Sequence, residues 1–123
     1  FHDLQGRFEK MNQEYFLGKI DAQITWSTAA QKQRRQSIQM GSYSDELKLI
    51  RIHPALDQKW VPQYFVDFVI YHEMLHQVHP RRLGAPQGCT VHTPAFRHAE
   101  KQFEQIEKAK SFEALHLKRL LHY

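Results

Sequence analysis

The chain has 123 residues, 41% of them hydrophobic and 24% charged, with a formal net charge of +4. That length and mixture belong to one folded domain with a single core, and they exclude a disordered polymer. No apolar run approaches the roughly 18 to 20 residues that span a bilayer. No basic segment followed by an apolar stretch opens the chain, so neither a secretory signal nor a membrane partner is expected.

The single cysteine, Cys89, excludes an internal disulfide and leads us to expect a reducing, cytoplasmic (intracellular) setting. The modest cationic excess is compatible with a polyanionic partner but does not require one.

Apolar residues recur at Leu4, Phe8, Met11, Tyr15 and Phe16, which predicts a helix ended by Gly18. Ala22 to Ser27 alternates around Ile24, Thr25 and Trp26 and reads as a strand, followed by a polar, basic loop over Ala29 to Gln36. Ile38 to Tyr43 and Leu47 to His53 read as two further strands, with Ser44-Asp45-Glu46 turning between them. A short helical turn is expected from Pro54 through Leu56.

Val61-Pro62 then opens a long helix that is apolar on nearly every face, the mark of an element buried in the middle of a domain. Pro80 ends it, and Gly84, Pro86 and Gly88 make Arg81 to Val91 a loop. Thr93 caps a helix with Pro94 in its first turn, expected to run to about Ala109. Ser111 is expected to cap a last helix, with a stripe of Phe112, Leu115, Leu117, Leu120 and Leu121. The outline is α+β: a small antiparallel sheet of about three strands packed on helices, all in one domain over 1–123.

Chemistry enters at His72-Glu73-Met74-Leu75-His76 in the long helix. Residues four apart share a helix face, so His72 and His76 can aim imidazole nitrogens at one ion, at the roughly 2.0 to 2.1 Å that zinc requires. Glu73 is rotated away from them and can act as general base on a water beside that metal. Three polar residues interrupting an apolar helix are costly unless they have a task or a partner.

A catalytic zinc takes a third protein ligand and keeps one position open. His92 is the leading candidate, following the loop and preceding the next helix cap. His79, His98, Glu100 and Glu104 compete with it.

His72-Glu73-Met74-Leu75-His76, a loop, and His92-Thr93-Pro94-Ala95-Phe96 together resemble the SprT-like zinc metallopeptidase domain, the family that includes Spartan. Upstream, Phe8, Asn12, Tyr15, Phe16 and Gly18 followed by Ile24-Thr25-Trp26-Ser27 are similar to that family's opening helix and first strand. The resemblance covers about Leu4 to Ile106. It implies a zincin-like fold, Zn2+ held by His72, His76 and His92, Glu73 as catalytic base, and a protein or peptide substrate, including DNA-associated proteins. Thr93 stands where many relatives have glycine, a mild departure. The Cys-rich zinc ribbon of many members is missing, since Cys89 is alone. The layout is also similar to single-domain minigluzincin peptidases, some of them inhibited by their own terminal segments.

Two other readings stay open. One is a zinc-dependent nucleic-acid hydrolase, against which Glu73 argues. The other is a non-catalytic, zinc-stabilised nucleic-acid-binding module, against which the shortage of a fourth ligand argues. Lys32, Arg34 and Arg35, with Arg81-Arg82, form two basic clusters that suit single-stranded DNA, with Trp26 and Tyr43 as stacking surfaces. Solvated loops explain them equally well. The tail from Ser111 is expected to pack on the domain. A sharper expectation has it covering the cleft.

Overall fold

A computed structural model describes residues 2–27, 40–79 and 93–121, with side chains described up to residue 116. Helix α1 (Leu4–Phe16) starts where the Asp3 carboxylate accepts a hydrogen bond from the Gly6 amide at 3.2 Å. It buries Leu4, Phe8 and Met11 on one face. The stop spans two residues rather than Gly18 alone: Leu17 (φ 55°) and Gly18 (φ 76°) are both left-handed. Asn12 then clasps the returning chain, its amide donating to the Ile20 carbonyl and its oxygen accepting from the Ile20 amide, both at 2.9 Å.

Strands β1 (Gln23–Trp26), β2 (Gly41–Ser44) and β3 (Leu49–Ile52) form one sheet in the order β1-β3-β2. The expected antiparallel sheet is in fact mixed: β2 pairs antiparallel with β3, but β1 pairs parallel with it. Successive strands still alternate in direction, as expected. What differs is that β3 is inserted between the other two. The reason is composition. Ile50 and Ile52 are fully buried and suit the centre, whereas Gly41-Ser42-Tyr43-Ser44 is polar and half-buried and suits an edge.

A single 3-10 turn, Pro54–Leu56, buries Ala55 and Leu56. Helix α2 (Gln63–Val78) follows, with Pro62 as its N-cap residue rather than inside its first turn. Its residues from Phe65 to Tyr71, and again from Glu73 to Leu75, are buried. This is the expected central helix. The sheet, α1 and the C-terminal helices all pack around it. Among the described residues, no helix is long and apolar enough to cross a membrane.

The C-terminal helices differ from the expected division. Helix α3 (Pro94–Glu100) stops early and α4 (Ile106–Leu121) begins early, so Ser111 lies inside a helix and caps nothing. Nothing between Glu100 and Ile106 breaks a helix by propensity, so the cause is tertiary. The Tyr71 hydroxyl donates to the Ala99 carbonyl at 2.7 Å, and the Glu104 amide donates to the Tyr15 hydroxyl at 3.2 Å. The backbone continues through this stretch in tighter turns, with the Gln102, Phe103 and Ile106 amides each donating to the carbonyl three residues back, while Phe103 turns inward against Tyr15, Phe68 and Tyr71. The start of the tail packs on the domain: Phe112 of α4 lies against Phe65 and Trp60, at ring separations of 4.8 and 5.8 Å.

Candidate metal centre

Helix α2 is apolar enough to be buried on most sides, and its buried stretch includes Glu73, with His72 and His76 partly buried beside it. One helical turn separates the two imidazoles. Their ring centroids are 5.1 Å apart and their planes meet at 79°. One ligating atom from each of His72, Glu73 and His76 lies within 4.8 Å of the other two, the convergent group among the described residues. His76 Nε2 stands 3.9 Å from Glu73 Oε1. Two imidazole nitrogens are donors of the kind zinc accepts, and the carboxylate beside them can meet a water on such an ion, so the residues present fit it.

The walls of the site come from elements that the sequence separates widely. Phe96 of α3, itself buried, packs on both imidazoles at 4.7 Å from His76 and 5.1 Å from His72. Its place is fixed by the Thr93 cap, whose hydroxyl accepts from the Phe96 amide at 3.2 Å. From the other side the edge strand β2 comes close through Gly41. A Cβ there would stand 3.0 Å from Val69 Cγ1 and 3.1 Å from both Cγ and Oε2 of Glu73. Glycine lets the strand lie this near the carboxylate without displacing a neighbour.

Glu73 is 5% exposed. Burial pushes its carboxyl up to about 7, against a smaller opposing pull from His72. Glu100, in the last turn of α3, behaves in the opposite way. Burial alone would raise it, but the hydrogen bond and charge of His72, together with Lys110, hold it below its usual value. His72 Nδ1 and Glu100 Oε2 are 2.5 Å apart, and Lys110 Nζ lies 3.5 Å from Glu100 Oε1. Tyr71, one residue before His72, is raised to about 12, chiefly by burial.

His72, Glu73 and His76 are thus brought together as expected. His92 and Cys89 lie outside the described residues, as do Lys32, Arg34, Arg35, Arg81 and Arg82 of the basic clusters. Of the competing ligands, His98 and Glu104 are exposed and lie outside the convergent group. His79 caps α2 beside Phe96, and Glu100 meets His72 on its Nδ1 side. Trp26 and Tyr43 are partly buried against the core. The Tyr43 hydroxyl is engaged, accepting from Gln77 at 3.0 Å and contacting Asp45 at 3.3 Å.

Three contributors escaped the sequence reading: Gly41, Lys110, and Glu100 in the part it plays. Compared with protein-family models, with curated proteins and with solved structures, the chain finds no match.

Proposed function

We propose that this protein is a zinc-dependent peptidase of the SprT-like kind. The observation that carries the reading is the convergence of two imidazoles and a buried carboxylate within 4.8 Å on one central helix. His72 and His76 would hold the metal, with His92 as third ligand by resemblance. Bound zinc supplies Lewis acidity, which acidifies a water and polarises a substrate carbonyl.

The chain's own residues do the rest. Glu73, buried and beside the two imidazoles, is placed to take a proton from water and return it to a leaving amine. Phe96 closes one side of the site to solvent.

An extended peptide has a place to bind. His53 donates to the Met40 carbonyl at 2.8 Å, so 40/53, 42/51 and 44/49 are the hydrogen-bonded pairs of the β2–β3 ladder. The backbone groups of Gly41 and Tyr43 therefore face away from β3, toward a strand added at that edge. Gly41 is also the residue against Glu73, so the added strand would run past the base. DNA-associated proteins as substrates rest on the resemblance alone.

The test is cleavage of a DNA-binding protein by zinc-loaded protein, with and without single-stranded DNA, beside Glu73→Gln. Cleavage that is lost in the variant and in excess chelator is expected. Stimulation by DNA would support the finer substrate assignment. Zinc-loaded protein that leaves peptides intact at every condition would reject the peptidase.

A further inference from the structure

We propose that Glu100 is the positioning residue of the metal centre, fixing the His72 ring through Nδ1 so that Nε2 is presented to the ion. Lys110 of α4 steadies that carboxylate. This rests on the metal-site reading above and adds to it a residue from a different helix.

An ionised carboxylate can only accept hydrogen bonds, so at 2.5 Å from Glu100 Oε2 the Nδ1 of His72 carries the proton. A neutral imidazole protonated at Nδ1 has its lone pair at Nε2, the nitrogen that can then ligate. Metal-bound histidines are commonly oriented by a carboxylate in this way.

The contact is built, not incidental. Tyr71 and His72 are neighbours on α2, and Ala99 and Glu100 are neighbours on α3. Tyr71 holds the Ala99 carbonyl at 2.7 Å, and His72 meets the next residue of α3. These two adjacent rungs end α3 at the point where Glu100 faces the site.

The Glu100 side chain is only 13% exposed, and its second oxygen has its own cation in Lys110 at 3.5 Å. Lys110 also stands 5.2 Å over the Phe68 ring, which itself packs 6.4 Å from His72. Glu100 borders a groove of about 850 Å³ between α3 and α4, lined also by Arg97, Lys101 and Lys110. Its carboxylate is thus shared between His72 on one side and Lys110 on the other, and α4 is tied to the metal centre through it.

The experiment measures zinc affinity by competition with a chromophoric chelator, with imidazole 15N spectra of the metal-free protein at pH 8. In the wild type, His72 is expected as the Nδ1–H tautomer. Glu100→Gln, nearly the same shape, keeps a neutral acceptor but loses the charge, and is expected to weaken that preference and to bind zinc ten- to a hundredfold more weakly. Its metal-free melting temperature should stay close to wild type. Lys110→Met should weaken binding only about two- to fivefold, as an exposed ion pair would.

Glu100→Gln with wild-type affinity and tautomer overturns the proposal, as does an Nε2–H tautomer in the wild type, a result independent of any variant's folding. Wild-type protein that binds no zinc overturns both this and the metal-site reading. Zinc affinity unchanged in Glu100→Gln, with the wild type binding zinc normally, sinks this proposal alone.

Discussion

Helix α2 carries two buried acidic side chains, Asp67 at 6% exposure and Glu73 at 5%, under two turns apart, and the helix treats them oppositely. Asp67 faces α1 and is met by the Arg7 guanidinium through two hydrogen bonds, from Nε at 2.8 Å and from Nη2 at 2.5 Å. That bond in turn raises the already high pKa of Arg7. Glu73 faces the sheet edge and His76, and its carboxyl is pushed up to about 7. A carboxylate matched by a fixed cation is spent on holding two helices together. One kept near neutrality by burial retains the capacity to move a proton.

The contrast predicts a double dissociation, and this is the largest effect expected. Glu73→Gln should lower peptide hydrolysis at least about a hundredfold, the usual contribution of a general base, with the folded state intact. Asp67→Asn should do the reverse. It should leave turnover per folded molecule near wild type and cost about 2–4 kcal/mol in chemical denaturation, because it strands Arg7 in a half-buried site. A stable, active Asp67→Asn would show that the two carboxylates do not divide the work in this way.

A cycle on the structural pair sharpens the same point. Arg7→Met and Asp67→Leu together should be less damaging than the sum of the single changes, by about 1–3 kcal/mol, since each single change leaves one charge without its partner. Additive losses would mean that Arg7 and Asp67 act through separate neighbours.

The Glu73 half of this contrast was legible in the sequence, whereas the Arg7–Asp67 pair, 60 residues apart in the chain, was not. The central helix, and within it the alignment of His72 with His76, followed from 3.6-residue periodicity, because local geometry alone decides them. The composition of β3 against β2 held the information for a central and an edge strand, but strand order is a long-range outcome and the sheet came out mixed. The break after Glu100 depends on two tyrosine hydroxyls from α1 and α2 reaching α3 and the turn that follows it, which no local pattern records. Glu100 was visible only as one of several candidate ligands. Its distance from His72 in the chain hid the contact. Gly41 was not singled out, since its meaning lies in the side chain across from it.

The raised Glu73 carboxyl also makes stability depend on pH in the metal-free protein. Its folded value, about 7, lies above the ordinary 4.5, so between these the folded state binds more protons than the unfolded one. Stability contributed by the protonated carboxyl is therefore full below about 4.5 and is lost as pH rises toward and through 7. In chelator, the wild type should lose about 1–3 kcal/mol more than Glu73→Gln between pH 5 and pH 8. Parallel denaturation curves for the two proteins across that range would refute a buried, raised carboxyl.

The smallest effect expected probes the wall rather than the carboxylate. In Gly41→Ala the new methyl group would sit 3.0 to 3.1 Å from Val69 Cγ1, Glu73 Cγ and Glu73 Oε2, tighter than nearly all real Cβ contacts, so a neighbour must give by a few tenths of an ångström. Overpacking of this kind typically costs about 1–3 kcal/mol, and here the softest of the three neighbours is the Glu73 side chain, which can rotate where the strand and Val69 cannot. The strain should thus be relieved by moving the base. We expect a stability loss near the lower end, about 1 kcal/mol, with a turnover loss of roughly tenfold, as small displacements at a reacting centre produce. Zinc affinity should change little, because the three nearest atoms to the methyl group belong to Val69 and Glu73 and not to His72 or His76. A Gly41→Ala protein that loses stability but keeps full turnover would place the strain in the strand instead, and would remove Gly41 from the account of how the edge strand and the base share one site.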